Sequence, residues 1–116
     1  VAGLAGGVQD KTDDTPAAPR ATGAVHSADI EYAMGTLPTN RVFDWQPEDY
    51  VVSDIFSNYY VNFVKTGNPN GLGLVDWPTT NGKSVAPVLQ IDVNTFVKED
   101  PNMEKRYELM DKLFWK

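Results

Sequence analysis

The clearest hydrophobic pattern in the chain is a helical one between residues 47 and 65. Apolar residues recur there as adjacent pairs every four positions, which gives a wide apolar face at helical spacing. The pairs are Val51 and Val52, Ile55 and Phe56, Tyr59 and Tyr60, and Phe63 and Val64. Pro47 suits a first helical turn, while Gly67 followed by Pro69 supplies a left-handed cap and a stop. The pattern predicts a helix over 47–65 whose aromatic stripe packs in a core.

Two further elements follow toward the C-terminus. The segment 88–93 alternates in part and contains β-branched residues, which predicts a short edge strand, with Pro87 allowed at its start. Asp100 and Pro101 resemble the cap and first position of a last helix. The apolar face of that helix is formed at heptad-like spacing by Met103, Tyr107, Met110 and Phe114. That face is expected to pack on something, yet the chain offers little sheet of its own.

The first 22 residues differ in composition from the rest. They are rich in Ala, Gly, Asp, Thr and Pro and contain no aromatic residue, so they are predicted to form a flexible arm or loop. Asp10, Asp13 and Asp14 suggest a calcium loop, but the glycine turn and the distal glutamate of such loops do not follow. A solvated acidic turn is favoured, and residues 23–116 are assigned to the folded segment.

Composition excludes several classes of function. The net charge is −6, and the chain has no Lys- or Arg-rich block, which disfavours nucleic acid as a partner. The absence of cysteine excludes disulfides and thiolate metal sites. No apolar stretch approaches the roughly 20 residues needed to cross a bilayer, and the first residues lack a basic leader. We therefore expect no membrane span and no metal or other cofactor, and the compartment stays open.

His26, the only histidine, is the strongest candidate for chemistry. Imidazole is the usual proton carrier near neutral pH, so His26 could act as a catalytic base, although a lone histidine is more often structural. No serine of the chain lies in a Gly-x-Ser-x-Gly elbow, and Gly3–Gly7 has no strand before it that would make it an oxyanion loop. The chain therefore looks like a piece of a catalytic site that lacks the nucleophile.

Two motifs in the same order carry a resemblance to a known family. The segment Gly23–Tyr32 is similar to the region around the triad histidine of type-B carboxylesterases, the α/β-hydrolase group of cholinesterases and para-nitrobenzyl esterases. The segment Asn62–Asn70 resembles the helix end Phe-x-Lys-Thr-Gly-Asn-Pro-Asn of the same family. Weaker similarities follow in order at Trp77–Pro78, at the strand 88–91 and at Leu113–Trp115.

The resemblance implies a fold. Residues 23–116 would be the C-terminal portion of an α/β-hydrolase, with two amphipathic helices, one or two short edge strands and long loops. The central sheet would be completed by residues outside this chain. The expected partner is therefore the N-terminal portion of the same hydrolase, which would carry the serine and the triad acid, and the substrate would be a small ester.

The resemblance also implies roles for residues. His26 would be the general base that takes a proton from the serine hydroxyl and returns it to the leaving alcohol. Asp29 stands where the family has a supporting glutamate, so it would support the site at most. Glu31 could be proposed as the triad acid, but a surface or loop-bracing role is favoured. Met34 replaces a family phenylalanine, and either a pocket role or a core role is open.

The sequence therefore predicts a carboxylic ester hydrolase segment that supplies His26 and is inactive by itself. The alternative is a non-catalytic interaction module of the same fold, because the family includes adhesion proteins that have lost catalysis. The presence of His26 favours the enzyme.

Overall fold

The described part of the chain forms three helices, a short 3-10 turn and a two-stranded hairpin. The computed structural model describes residues 26–41, 43–82 and 85–115. The elements in order are α1 (Ile30–Met34), a short 3-10 turn (Leu37–Thr39), α2 (Pro47–Thr66), β1 (Pro87–Gln90), β2 (Phe96–Glu99) and α3 (Met103–Phe114). The predicted arm 1–22, its three aspartates and Gly3–Gly7 lie outside the described residues.

The long helix α2 confirms the prediction for residues 47–65. At its start, the backbone N–H of Gln46 donates to Oδ2 of Asp49 over 2.7 Å. A carboxylate there also complements the positive end of the helix dipole. At its end, Gly67 adopts φ 74° and its N–H donates to the carbonyl of Phe63 over 2.7 Å. This left-handed cap satisfies a carbonyl of the last turn, so both ends of α2 are determined locally.

The core lies between α1, the 3-10 turn, α2 as far as Tyr59 and the residue that follows β1. Its buried members are Tyr32, Leu37, Val52, Tyr59 and Ile91. Partly buried side chains pack around them, namely Trp45, Ile55, Phe56, Leu74, Trp77 and Leu89. The core interpretation of the aromatic stripe was therefore right for Phe56 and Tyr59. It was wrong for Tyr60 and Phe63, which are 47% and 58% exposed, because no described element covers this end of the stripe.

Asn70 ties the turn after α2 to Trp77. The side-chain amide of Asn70 donates to the carbonyl of Trp77 over 3.0 Å, and the Trp77 N–H donates to Oδ1 of Asn70 over 2.7 Å. The Trp77 ring lies edge to face with Tyr59, at a centroid distance of 6.1 Å. The segment 66–70 is therefore a helix cap followed by a turn, as predicted, and it returns the chain to the core.

The strands β1 and β2 form an antiparallel hairpin. Pro87 pairs with Glu99 and Gln90 with Phe96. Pro87 opens the strand as predicted, but the strand ends at Gln90 and not at Val93. The reason is a turn centred on Asp92, whose Oδ1 accepts from Val93 N over 2.7 Å and whose carbonyl accepts from Thr95 Oγ1 over 2.8 Å.

The last helix, α3, begins at Met103, two residues after the predicted first position Pro101. Asp100 forms a turn before it, since its Oδ1 accepts from Asn102 N over 2.9 Å and its carbonyl accepts from Met103 N over 3.0 Å. No residue of α3 is buried. The apolar face predicted to pack is therefore open within the described chain. None of the three described helices has the length and apolar character that a bilayer span requires.

Candidate active site

The candidate catalytic residue, His26, lies at the start of a turn over 26–29 that runs directly into α1. Its side chain is exposed. The next residue, Ser27, has φ 64°, and its carbonyl accepts from Ile30 N over 3.3 Å. A left-handed conformation is uncommon for a residue with a Cβ and turns the backbone sharply. The turn therefore presents the imidazole at the surface while α1 leads into the core.

Asp29, the predicted supporting residue, occupies the cap position of α1. Its carbonyl accepts from Ala33 N over 2.8 Å, but its side chain makes no cap hydrogen bond and is exposed. The carboxylate is therefore accessible on the same turn as His26. Its supporting role stays a prediction.

Glu31 and Met34 are placed by α1. Oε1 of Glu31 accepts from Nδ2 of Asn40 over 2.7 Å, which ties α1 to the end of the 3-10 turn. This contact confirms the loop-bracing interpretation of Glu31. Met34 is 63% exposed and is not part of the described core.

Beneath the turn lies a buried polar cluster that sequence reasoning missed. The Tyr32 phenol donates to Oδ1 of Asp49 over 2.6 Å, and the Ser53 hydroxyl donates to the carbonyl of Tyr32 over 2.9 Å. Tyr32 is fully buried, and Asp49 and Ser53 are 3% and 4% exposed. The Trp45 ring packs edge to face against the Tyr32 ring, with 5.6 Å between the ring centroids. The cluster fixes α1, and with it the His26 turn, onto α2.

One signal in the sequence could have revealed this cluster. Asp49 lies in the first turn of α2, where a carboxylate suits the helix dipole, and the pattern of the helix also places it beside the apolar face. An aspartate on a buried face needs hydrogen-bond donors. In the motif Gly23–Tyr32, the phenol that could supply such a donor to Asp49 is that of Tyr32.

Electrostatics agrees with this geometry. Burial raises the pKa of Tyr32 strongly, and its hydrogen bond to Asp49 and the charge of that carboxylate raise the pKa further. Burial also raises the pKa of Tyr59, although its hydrogen bond to the Val75 carbonyl acts in the opposite direction. The Tyr32 phenol is therefore a neutral donor at physiological pH.

Among the residues that the structure describes, the other serines and acids do not gather into a second site. The Ser53 hydroxyl donates to the carbonyl of Tyr32, and the Ser57 hydroxyl donates to the carbonyl of Asp54 over 3.2 Å on the surface of α2. Ser84 lies outside the described residues. Across 26–41, 43–82 and 85–115, no three His, Asp or Glu side chains gather in a way that could hold a metal ion. What this part of the chain can offer chemically is an exposed imidazole on a firmly anchored turn.

The sequence matches known hydrolases. A model of the carboxylesterase family matches residues 7–115. Bile salt-activated lipase from Homo sapiens is 40% identical over 55 residues, which are 47% of this chain and 7% of that protein. Pyrethroid hydrolase Ces2e from Rattus norvegicus is 31% identical over 74 residues, which are 64% of this chain and 13% of that protein. The chain therefore spans only a small part of these relatives.

Solved structures agree on the fold. A PNB esterase superposes with a TM-score of 0.63 at 26% identity, over 84% of this chain and 20% of that one. The Geobacillus stearothermophilus carboxylesterase EST55 superposes with a TM-score of 0.60 at 22% identity, over 73% of this chain and 18% of that one. Both comparisons confirm that the helices and the hairpin are part of an α/β-hydrolase fold.

Proposed function

Because the chain belongs to the carboxylesterase family, we propose that it is the part of a serine-type carboxylic ester hydrolase that supplies the general base, His26. The observation that carries the proposal is the position of the only histidine, exposed on a turn whose following helix is anchored in the core. An imidazole in this position can approach a partner surface without losing its orientation. Orientation is the property that a catalytic base requires.

The proposed chemistry has two stages. His26 takes the proton from a serine hydroxyl while the serine oxygen attacks the ester carbonyl, and it then gives that proton to the departing alcohol. In the second stage, His26 takes a proton from water as the water oxygen attacks the acyl-serine carbonyl, and it then gives that proton to the serine oxygen as the carbonyl–serine bond breaks and the acid is released. The serine and the acid that orients His26 belong to the N-terminal portion of the hydrolase in this proposal, and Asp29 supports the turn.

The uncovered apolar surface supports this partner. The stripe of α2 continues past the core into Tyr60, Phe63 and Val64, which are 47%, 58% and 80% exposed. On α3, Tyr107, Met110 and Phe114 are 51% or more exposed and share one face. Exposed apolar patches of this kind mark surfaces that another element covers. The N-terminal portion, with its central sheet, is the proposed cover, and the chain alone is proposed to be inactive.

The test combines this chain with its N-terminal portion and measures hydrolysis of p-nitrophenyl acetate. Removal of the base in His26→Ala is expected to lower kcat about 10³-fold or more, as for other members of catalytic triads. Glu31→Gln is the matched control, because it changes an acidic residue on α1 but keeps the oxygen that accepts from Asn40. Equal rates for the His26→Ala and unsubstituted forms would reject the general base. A complex that assembles but never hydrolyses esters would favour the non-catalytic module.

A further inference from the structure

The buried contact between Tyr32 and Asp49 joins two distant parts of the chain. Tyr32 lies six residues after His26 and Asp49 lies in the first turn of α2. Both carboxylate oxygens of Asp49 are occupied, Oδ1 by the Tyr32 phenol and Oδ2 by the Gln46 N–H. A buried carboxylate is stable only when its oxygens are satisfied in this way. A shift of α1 would therefore leave Oδ1 of Asp49 without its donor in the core, and this cost favours one position of α1.

The position of α1 determines the position of the His26 turn, residues 26–29. The turn over 26–29 joins α1 without a linker, and the Ile30 N–H and Ala33 N–H bond to carbonyls of Ser27 and Asp29. In the middle of α1, Tyr32 is held by its phenol, its carbonyl and its ring, through Asp49, Ser53 and Trp45 respectively. A rotation of a helix as short as α1 would move the imidazole directly. Phenylalanine at position 32 would fill the same space, so the phenol contributes direction and not volume.

We infer that Tyr32 and Asp49 are positioning residues for His26, acting through α1 on the angle at which the imidazole meets its partner. The expected loss of kcat rests on the proposed function, whereas the expected change in the orientation of the imidazole does not. Neither residue touches the substrate in this scheme. Misplacement of a catalytic group by about 1 Å can cost about 100-fold in rate, so removal of the phenol is expected to lower kcat at least tenfold and to leave KM within about twofold.

The kinetic test uses the assembled hydrolase and a Tyr→Phe pair. Tyr32→Phe removes the donor to Asp49, whereas Tyr59→Phe removes an equally buried phenol that donates to the Val75 carbonyl at the far side of the core. The loss of kcat is expected for Tyr32→Phe and Asp49→Asn and not for Tyr59→Phe. In a double variant with His26→Ala, the Tyr32→Phe change should cost nothing more, because residues that act as one unit are not additive. An equal loss for Tyr59→Phe, or full additivity with His26→Ala, would show a general stability effect and overturn the inference.

The structural test uses the 116-residue chain and does not depend on ester hydrolysis. Since His26 is the only histidine, the two carbon-bound protons of its imidazole, Hδ2 and Hε1, give NMR signals that no other histidine overlaps. Tyr32→Phe and Asp49→Asn are expected to change the chemical shifts and linewidths of the His26 signals toward those of an unfolded peptide. Tyr59→Phe is expected to leave these signals unchanged. An unchanged signal in both variants would overturn the inference. A moved signal together with a His26→Ala hydrolase of normal rate would uphold the positioning and reject the proposed base.

Discussion

The phenol of Tyr32 donates a 2.6 Å hydrogen bond to Oδ1 of Asp49, across 17 residues of chain. Both side chains are buried, and the carboxylate also accepts from the start of its own helix. A hydrogen bond to a charged group contributes about 1.5 to 3 kcal/mol of net stability. This contact and the Ser53 hydroxyl on the Tyr32 carbonyl join α1 to α2 and explain how a five-residue helix keeps its place.

The raised pKa of Tyr32 predicts a loss of stability at high pH. The folded chain holds the phenol proton above the unfolded pKa of about 10, so stabilisation by this group is complete below that pH and is lost as pH rises toward the folded pKa. Within this window the free energy of unfolding should fall by about 1.4 kcal/mol per pH unit for each such tyrosine. The dependence of the free energy of unfolding on pH is measured by urea denaturation between about pH 8 and about pH 12, a range that spans the unfolded pKa of tyrosine.

Tyr→Phe variants separate the two contributions. Tyr59 also has a raised pKa, so each single Tyr→Phe variant should lose the part of the slope that its own phenol contributes. Phenolate absorbance, followed in the same titration, should show Tyr32 ionising only as the chain unfolds. A slope that is unchanged in Tyr32→Phe would contradict the assignment.

The left-handed turn at Ser27 predicts opposite effects for two small substitutions. A residue with a Cβ at φ 64° carries about 1 to 2 kcal/mol of strain, which glycine does not. Because glycine also gains freedom in the unfolded chain, Ser27→Gly should raise the free energy of unfolding by less than about 1 kcal/mol. Ser27→Val should lower it by about 1 to 2 kcal/mol, since a β-branched side chain fits this region worst. Thermal denaturation compares the three chains, and a valine variant as stable as the serine form would exclude the left-handed turn.

Sequence reasoning was most successful where the determinants are local. The ends of α2 follow from Pro47 and Gly67, and Pro87 marks the start of β1, because each depends on the conformational limits of one residue. The start of α3 was misplaced by two residues, since Asp100 serves a preceding turn and not the helix itself. His26 stood out as the only histidine, and its role as a base was taken from the family resemblance and not from periodicity, so that role stays a prediction.

The buried cluster could not be predicted in the same way. Tyr32 and Asp49 are 17 residues apart, and only the packing of α1 across α2 brings a phenol to a carboxylate. The exposed ends of the stripe were missed for a related reason. Helical spacing shows that Tyr60 and Phe63 share a face with the core residues, but it does not show how far along α2 the covering elements reach.

The two hydrogen bonds between Asn70 and Trp77 predict that the Asn70 side chain contributes to the stability of the turn after α2. Asn70→Ala removes both bonds and should lower the free energy of unfolding by about 1 to 3 kcal/mol. Asn58→Ala is the control, because the exposed Asn58 amide bonds only to its own helix, and it should change stability by no more than about 0.5 kcal/mol. Urea denaturation followed by tryptophan fluorescence measures both variants. Similar midpoints for the two would mean that the turn is held by other contacts.

The open face of α3 predicts where the proposed partner, the N-terminal portion of the hydrolase, would bind. Tyr107 and Met110 lie on the apolar face, while Lys105 and Lys112 lie on the opposite, polar face, and all four belong to a helix with no buried residue. Burial of an apolar side chain contributes about 1.5 to 3 kcal/mol, so the double variant Tyr107→Gln, Met110→Gln should weaken binding at least tenfold. The matched double variant Lys105→Gln, Lys112→Gln should bind within about twofold, because exposed lysines on the far face contribute little. Titration calorimetry with the N-terminal portion compares the two, and equal affinities would mean that α3 stays exposed in the assembled protein.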